Sequence, residues 1–165
     1  CNQTILDDLI KRADNYKLIT VHISIDATGK IAEFTRFGLN FESFTQNLDY
    51  LIANKPANMN IIIGSLMTSI TVKDIKNLSE YIKSRDVYWG LTYCQYPEIQ
   101  SFSTLQDKYK SSIIEVLENL TDVENASGIA YKIKHTKFNN TMYQELKHFV
   151  KEFSKRKRIE PIWLD

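Results

Sequence analysis

Leu18-Ile19-Thr20-Val21-His22-Ile23-Ser24-Ile25-Asp26 alternates apolar and polar side chains without a break from Ile19 onward. A strand sends successive side chains to opposite faces, so Ile19, Val21, Ile23 and Ile25 share one face and Thr20, His22, Ser24 and Asp26 the other. A parallel strand packed on both sides reads as continuous Val, Ile and Leu; a polar face here points to solvent, a ligand or a barrel interior. Ser24 and Asp26 stand at the C-terminal end of the stretch, where ligands gather in open α/β sheets and closed barrels alike. The following Asp26-Ala27-Thr28-Gly29 equally well turns the chain, because Asp caps turns and Gly accepts left-handed backbone. On spacing alone the structural and functional roles weigh evenly.

Outward from this strand, helical and extended patterns alternate. Thr4 to Tyr16 carries Ile5, Leu6, Leu9, Ile10 and Ala13 at helical spacing, and Glu42 to Ala53 does so with Phe44, Leu48, Leu51 and Ile52 before the Asn54-Lys55-Pro56 breaker. Residues 59–68 read as a second strand. Val72 to Ser84 is a helix with Ile75, Leu78, Tyr81 and Ile82 in register, and residues 87–94 form a third strand, stopped by Pro97. The order αβαβαβ implies crossover connections and a parallel sheet, hence an α/β fold. After Pro97 the strand pattern ends. Ser103 to Leu120 reads as a long helix opened by the capping box Ser103-Thr104-Leu105-Gln106, Met142 to Lys155 as another, and residues 122–136 as a short helix or loop. Residues 98–165 are therefore expected to form a helical C-terminal extension.

With 165 residues, 43% hydrophobic, the chain has enough apolar content for one cored domain, and 21 basic against 20 acidic residues leave no net field to attract nucleic acid or an anionic membrane. The closing Lys155-Arg156-Lys157-Arg158 reads as a solvated helix end, where basic side chains suit the helix dipole. No apolar run reaches the roughly 18 residues of a membrane span, and no signal peptide is visible. Cys1 and Cys94 are too few for a disulfide framework, which sets the expectation of a reducing, cytoplasmic setting. Cys94 reads as a small buried thiol and His22 as a buried, satisfied imidazole. His135 and His148 lie far from His22, so no zinc site is expected. The five Asn-x-Ser/Thr triplets follow by chance from an Asn-rich sequence. A Gly-rich phosphate loop and a nucleophile elbow are both absent. The first residue is Cys1 rather than Met, which raises the expectation that a segment lies upstream.

Several of these residues, taken in order, resemble a family. Ile23-Ser24-Ile25-Asp26 with Gly29, then Thr35-Arg36-Phe37-Gly38-Leu39-Asn40-Phe41 and Asn47-Leu48, resembles the fourth-strand segment of radical S-adenosylmethionine proteins of the SPASM/twitch type. There a strand ending Ser-x-Asp-Gly leads to an Arg-x-Gly stretch that enters the next helix. Cys1-Asn2-Gln3-Thr4 is similar to the Thr-Asn-Gly-Thr end of the third strand. Met67-Thr68-Ser69-Ile70 resembles the end of the fifth strand, Tyr93 to Pro97 the sixth strand and its proline, and Phe149 to Leu164 a family tail. Gln3 and Ala27 stand where the family has glycine.

The resemblance implies a partial (β/α) barrel with parallel strands about 18–26, 59–68 and 87–94, of which residues 1–97 form the C-terminal portion. It implies that Ser24, Asp26 and Asn2 contribute to the cofactor's ribose and polar surroundings, and that Arg36 pairs with its methionyl carboxylate. A carboxylate accepts from sugar hydroxyls and a guanidinium fork grips a carboxylate, so the chemistry fits. A surface ion pair of Arg36 with Glu33 or Asp26 is the other reading of that residue. The family's [4Fe–4S] cluster is held by Cys-x3-Cys-x2-Cys, which this sequence lacks. The expectation is therefore a chain inactive alone, completed by the missing N-terminal half of the barrel, whose parent acts on an unidentified peptide or small molecule. The competing expectation is a non-catalytic α/β binding or interaction domain.

Overall fold

The computed structural model describes residues 3–162. Among these, strands β1 (Ile19–Ser24), β2 (Met59–Met67) and β3 (Tyr88–Tyr93) form one parallel sheet in the order β1-β2-β3. Helices α1 (Gln3–Arg12), α2 (Gly29–Thr35), α3 (Phe41–Asn54), α4 (Ile75–Lys83), α5 (Asp107–Glu118), α6 (Ala126–His135) and α7 (Asn140–Lys157) complete the chain. The α/β class, the three strands and the parallel pairing follow the reading of the sequence.

The register aligns Ile19, Val21 and Ile23 with Met59, Ile61 and Ile63, and Ile63 with Trp89. These residues share one face, and on β2 it is wholly buried. Leu48 and Leu51 of α3 and Ile75, Leu78 and Ile82 of α4 belong to the same core, so both crossovers cover this one side. Ile113, Leu117, Ile129 and Ile133 bring α5 and α6 into it as well. Burying a residue such as Leu51 or Ile63 contributes about 1.5–3 kcal/mol, which makes this face the main stabilising layer. Its polar member, Ser65, is 2% exposed; it accepts from Trp89 Nε1 at 2.9 Å and donates to the Ile25 carbonyl, tying all three strands together from beneath.

The opposite face is open. Thr20, His22, Ser24, Asn60, Leu66, Tyr88 and Thr92 are exposed there, with Ile62, Gly64 and Gly90 half-buried between them. His22, expected as a buried imidazole, lies on this face because strand alternation sends it away from the helices.

Two helices depart from their expected form. Gly29, the last residue of the Asp26–Gly29 turn reading, instead opens α2 with φ +47°, and Ile31, Ala32 and Phe34 then pack inward. The capping box at Ser103 does not form. Phe102 and Leu105 are buried, which holds Phe102–Thr104 as a 3-10 turn, and α5 begins only at Asp107. The ambiguous residues 122–136 resolve into α6, entered through Asn125 at φ 65°. Helix α7 builds a second small core from Tyr143, Leu146 and Val150 with Phe34 and Ile70, including an edge-on Phe34–Phe153 contact at 5.3 Å.

Candidate functional site

The alternation of β1 holds through Ser24 and then breaks, because Ile25 is fully buried and Asp26 is 9% exposed. Ser24 keeps its hydroxyl on the open face. Asp26 turns across the strand ends instead: Oδ1 accepts from Leu66 N at 2.8 Å, while Oδ2 accepts from Arg36 Nε at 3.0 Å and forms an ion pair with Nη2 at 2.9 Å. The carboxylate thus joins β1, β2 and the segment after α2. Its partner is Arg36; Glu33 accepts from Phe41 N at the start of α3. Arg36 is 38% exposed along its side chain, and Nη1 lies outside the pair with Asp26. Asn2, the remaining candidate, lies outside the described residues.

The loops that carry these groups are anchored from below. Asp74, 4% exposed, accepts from Thr28 N at 2.6 Å, from Thr28 Oγ1 at 2.8 Å and from Asn77 Nδ2 at 2.7 Å. That clamp fixes the turn after Asp26, where the Ala27 methyl is fully buried. After Arg36 the chain passes through Gly38 at φ +91°, a conformation that side chains with a Cβ rarely adopt, and Asn40 caps α3 by accepting from Ser43 N at 2.7 Å. Lys157 of α7 sits over the Phe37 ring, 4.5 Å from its centroid; the other basic residues of that run are exposed.

Across the open face the register sets Ser24 beside Gly64 and Gly64 beside Gly90. A one-residue parallel bridge then joins Gly90 to Glu124, held by Leu91 N donating to Glu124 O at 3.0 Å and Asn125 Nδ2 donating to Leu91 O at 3.1 Å. The Glu124 carboxylate hangs over the same face: Oε2 lies 3.5 Å from where a Cβ on Gly90 would stand. Ser24, Gly64, Gly90 and Glu124 therefore form a row at one height across the sheet, with two polar residues flanking a floor of bare backbone. The two strand glycines are legible in the sequence as places of close backbone approach. Glu124 carries no such signal, since one bridge outside the strands places it.

Cys94, at the end of β3, is buried as expected, and its Sγ meets Tyr96 O at 3.1 Å. Burial pushes its thiol pKa up, with the Tyr96 carbonyl contact opposing, so it is a poor nucleophile at neutral pH. Among the described residues no group of three His, Cys, Asp or Glu side chains is arranged to hold a metal ion, and no helix is long and apolar enough to cross a membrane. Compared with family models, curated proteins and solved structures, the chain has no significant match.

The fold and site define an α/β chain with a three-stranded parallel sheet, helices on one face, and an open face ending in an Asp–Arg pair at the carboxyl ends of the strands.

Proposed function

We propose that this chain is an arc of a radical S-adenosylmethionine barrel, contributing the side that binds the cofactor's ribose and carboxylate. The observation that carries this reading is the one-sided sheet. Both crossovers lie on one face, and the face they leave open presents Ser24 just below the Asp26–Arg36 pair. An arc of a (β/α) barrel has this organisation, with helices outside and polar side chains toward the lumen. The order of short motifs from Ser24 to Pro97 supports it independently.

In this reading Ser24 offers its hydroxyl to a ribose. Arg36 directs its outer N–H groups at the methionyl carboxylate, while Asp26 acts on Arg36 rather than on the ligand: a hydrogen bond from Nε at 3.0 Å and an ion-pair contact with Nη2 at 2.9 Å, both to Oδ2, orient the guanidinium. A preset fork loses less entropy on binding than a free one. The described residues do not fit an iron–sulfur cluster, because their one cysteine, Cys94, is buried and bonded to a carbonyl. The cluster thiolates would come from the N-terminal half of the barrel. Held there beside a reduced cluster, S-adenosylmethionine would supply radical chemistry for hydrogen abstraction from a substrate.

The free edge of β1 is where that half would join. Ile19 N and Ile25 N donate toward β2, to Asn58 O and Gly64 O. The backbone groups of Thr20, His22 and Ser24 therefore face the open edge, beside a groove of about 440 Å³ lined by Leu6, Leu9, Val21, Ile23, Phe44 and Leu48.

The test is to recover the upstream coding sequence, express the longer protein anaerobically, and measure S-adenosylmethionine binding by calorimetry. Arg36→Ala should weaken binding at least tenfold while lowering the thermal midpoint by no more than about 4 °C. Equal binding, or an upstream sequence without Cys-x3-Cys-x2-Cys, overturns the reading.

A further inference from the structure

We infer that the C-terminal half of α7 is the positioning element of the Asp26–Arg36 pair, with Phe153 and Lys157 acting on Arg36 through the residues on either side of it; what the pair then holds rests on the reading above.

The two contacts bracket the arginine. Phe153 meets Phe34, two residues before Arg36, edge-on with ring centroids 5.3 Å apart, and Lys157 Nζ stands 4.5 Å from the centroid of Phe37, the residue after it. Positions 153 and 157 are one turn apart on a single helix face, so one surface of α7 supplies both. The helix is tied down at each end. At its start Asn139 N donates to Ser103 O at 2.7 Å, and the Asn139 side chain accepts from Met142 N at 3.2 Å. At its finish Arg158 takes a left-handed backbone with φ 55° and Ile159 N donates to Ser154 O at 3.1 Å, which turns Ile159 and Ile162 back onto the small core around Phe34. The Lys30–Glu160 pair adds little, because its partners lie 3.8 Å apart with side chains 88% and 90% exposed.

Arg36 depends on these contacts more than Asp26 does. Asp26 is held by Leu66 N, inside the register of the sheet. Arg36 instead closes α2, whose seven residues lack a side-chain cap and are too few to hold a helix alone. It then leads into Gly38, where the backbone is least restricted. Of the inward residues of α2, Ala32 joins the main core and Phe34 the small core that α7 builds. Lifting the end of α7 therefore leaves the carboxylate in place and loosens the guanidinium, and a loosened fork loses more entropy when it binds.

The test uses the 165-residue chain, ¹⁵N-labelled, and reads hydrogen exchange at the Arg36 Nε–H, assigned by its loss in Arg36→Lys. That proton is bonded to Asp26 and exchanges only when the pair opens. Lys157→Ala should speed the exchange about twofold to fivefold, the scale of an exposed cation–π contact, and Phe153→Ala at least tenfold. Lys157→Arg returns a cation to the ring and should restore the slow rate. Two signals separate positioning from a general loss of stability. The Leu66 amide, on the other oxygen of Asp26, and the Arg85 Nε–H, bonded to Asp49 at 2.7 Å, should keep their rates in Lys157→Ala. Lys157 is exposed, so this variant decides the matter even where Phe153→Ala fails to fold. Unchanged Arg36 exchange in Lys157→Ala, an equal rise at Arg36, Leu66 and Arg85, or a Lys157→Arg protein as fast as Lys157→Ala overturns the inference. No cofactor enters these measurements, so they stand whether or not the longer protein binds S-adenosylmethionine, and their failure leaves that titration untouched.

Discussion

Removing the Asp26 carboxylate separates three groups that the chain otherwise holds at the strand ends. Asp26→Ala takes the Oδ1 acceptor from Leu66 N and the Oδ2 partner from Arg36 Nε and Nη2. The backbone N–H, only partly shielded, costs about 1 kcal/mol when left without a partner. The charge-assisted pair would exceed that in a dry site, but Arg36 is 38% exposed and water screens it, so about 1 kcal/mol more is lost there. The total for Asp26→Ala is about 2 kcal/mol. Arg36→Ala removes only the second part, about 1 kcal/mol, and Asp26→Asn keeps an oxygen for Leu66 N and loses a similar amount. The double variant should cost no more than Asp26→Ala alone, giving a coupling of about 1 kcal/mol. Urea unfolding of the four variants and the unsubstituted chain, with midpoints compared at constant slope, measures all of this. A coupling near zero would show that the pair does not form in solution. If Asp26→Asn were as damaging as Asp26→Ala, the bond to Leu66 could not be what distinguishes them.

Three further outcomes follow from the same geometry. Ser65→Ala leaves the Trp89 indole N–H and the Ile25 carbonyl unpaired beneath the sheet, so it should cost about 2–4 kcal/mol in a urea titration; a loss below 1 kcal/mol would refute the three-strand tie. Asn40→Ala removes the cap on α3 and should cost about 1 kcal/mol, whereas Asn40→Ser should recover most of it. Cys94 should resist iodoacetamide at neutral pH and react once the chain is unfolded. Its thiol pKa is raised in the folded state, so the neutral form favoured by folding supports stability below the ordinary thiol pKa. That contribution fades as pH rises toward the folded value, and a midpoint that climbs through alkaline pH because of Cys94, judged against Cys94→Ala, would contradict the assignment.

The sheet was legible because the strands and helices differ in period. Ile19 to Asp26 alternates, Phe44 to Ile52 repeats at helical spacing, and breakers such as Pro56 and Pro97 separate them. Helix α2 was not legible: seven residues opening on glycine show too little period, and packing of Phe34 against α7 stabilises them. Ser103 had the right residues for a cap but the wrong surroundings, since burial of Phe102 and Leu105 outweighs one capping bond. At the site, Ser24, Asp26 and Arg36 were legible as residues. That Asp26 would turn inward to bond Leu66 N was not, because it depends on the register between β1 and β2. Glu124 shows the limit most clearly, because its place beside Gly90 comes from a backbone bridge between segments far apart in sequence.

The open face is best understood through what it lacks. A third layer of helices there would have required apolar side chains at Thr20, Ser24, Asn60, Gly64, Gly90 and Thr92, since a helix buries its stripe only against a surface that returns the contact. Hydroxyls, an amide and two glycines offer hydrogen bonds and backbone instead, which match a ligand better than a helix. The edge of β1 adds a second constraint, because Thr20, His22 and Ser24 turn their N–H and C=O groups away from β2, where no strand pairs with them among the described residues, and so invite pairing with another strand. A ligand on the face and a strand at the edge are compatible demands, met together when the sheet continues around a lumen. A flat sheet closed by a helical layer would meet the second and leave Ser24 and Glu124 buried without partners, at a cost that neither a neutral hydroxyl nor a carboxylate recovers from apolar contacts.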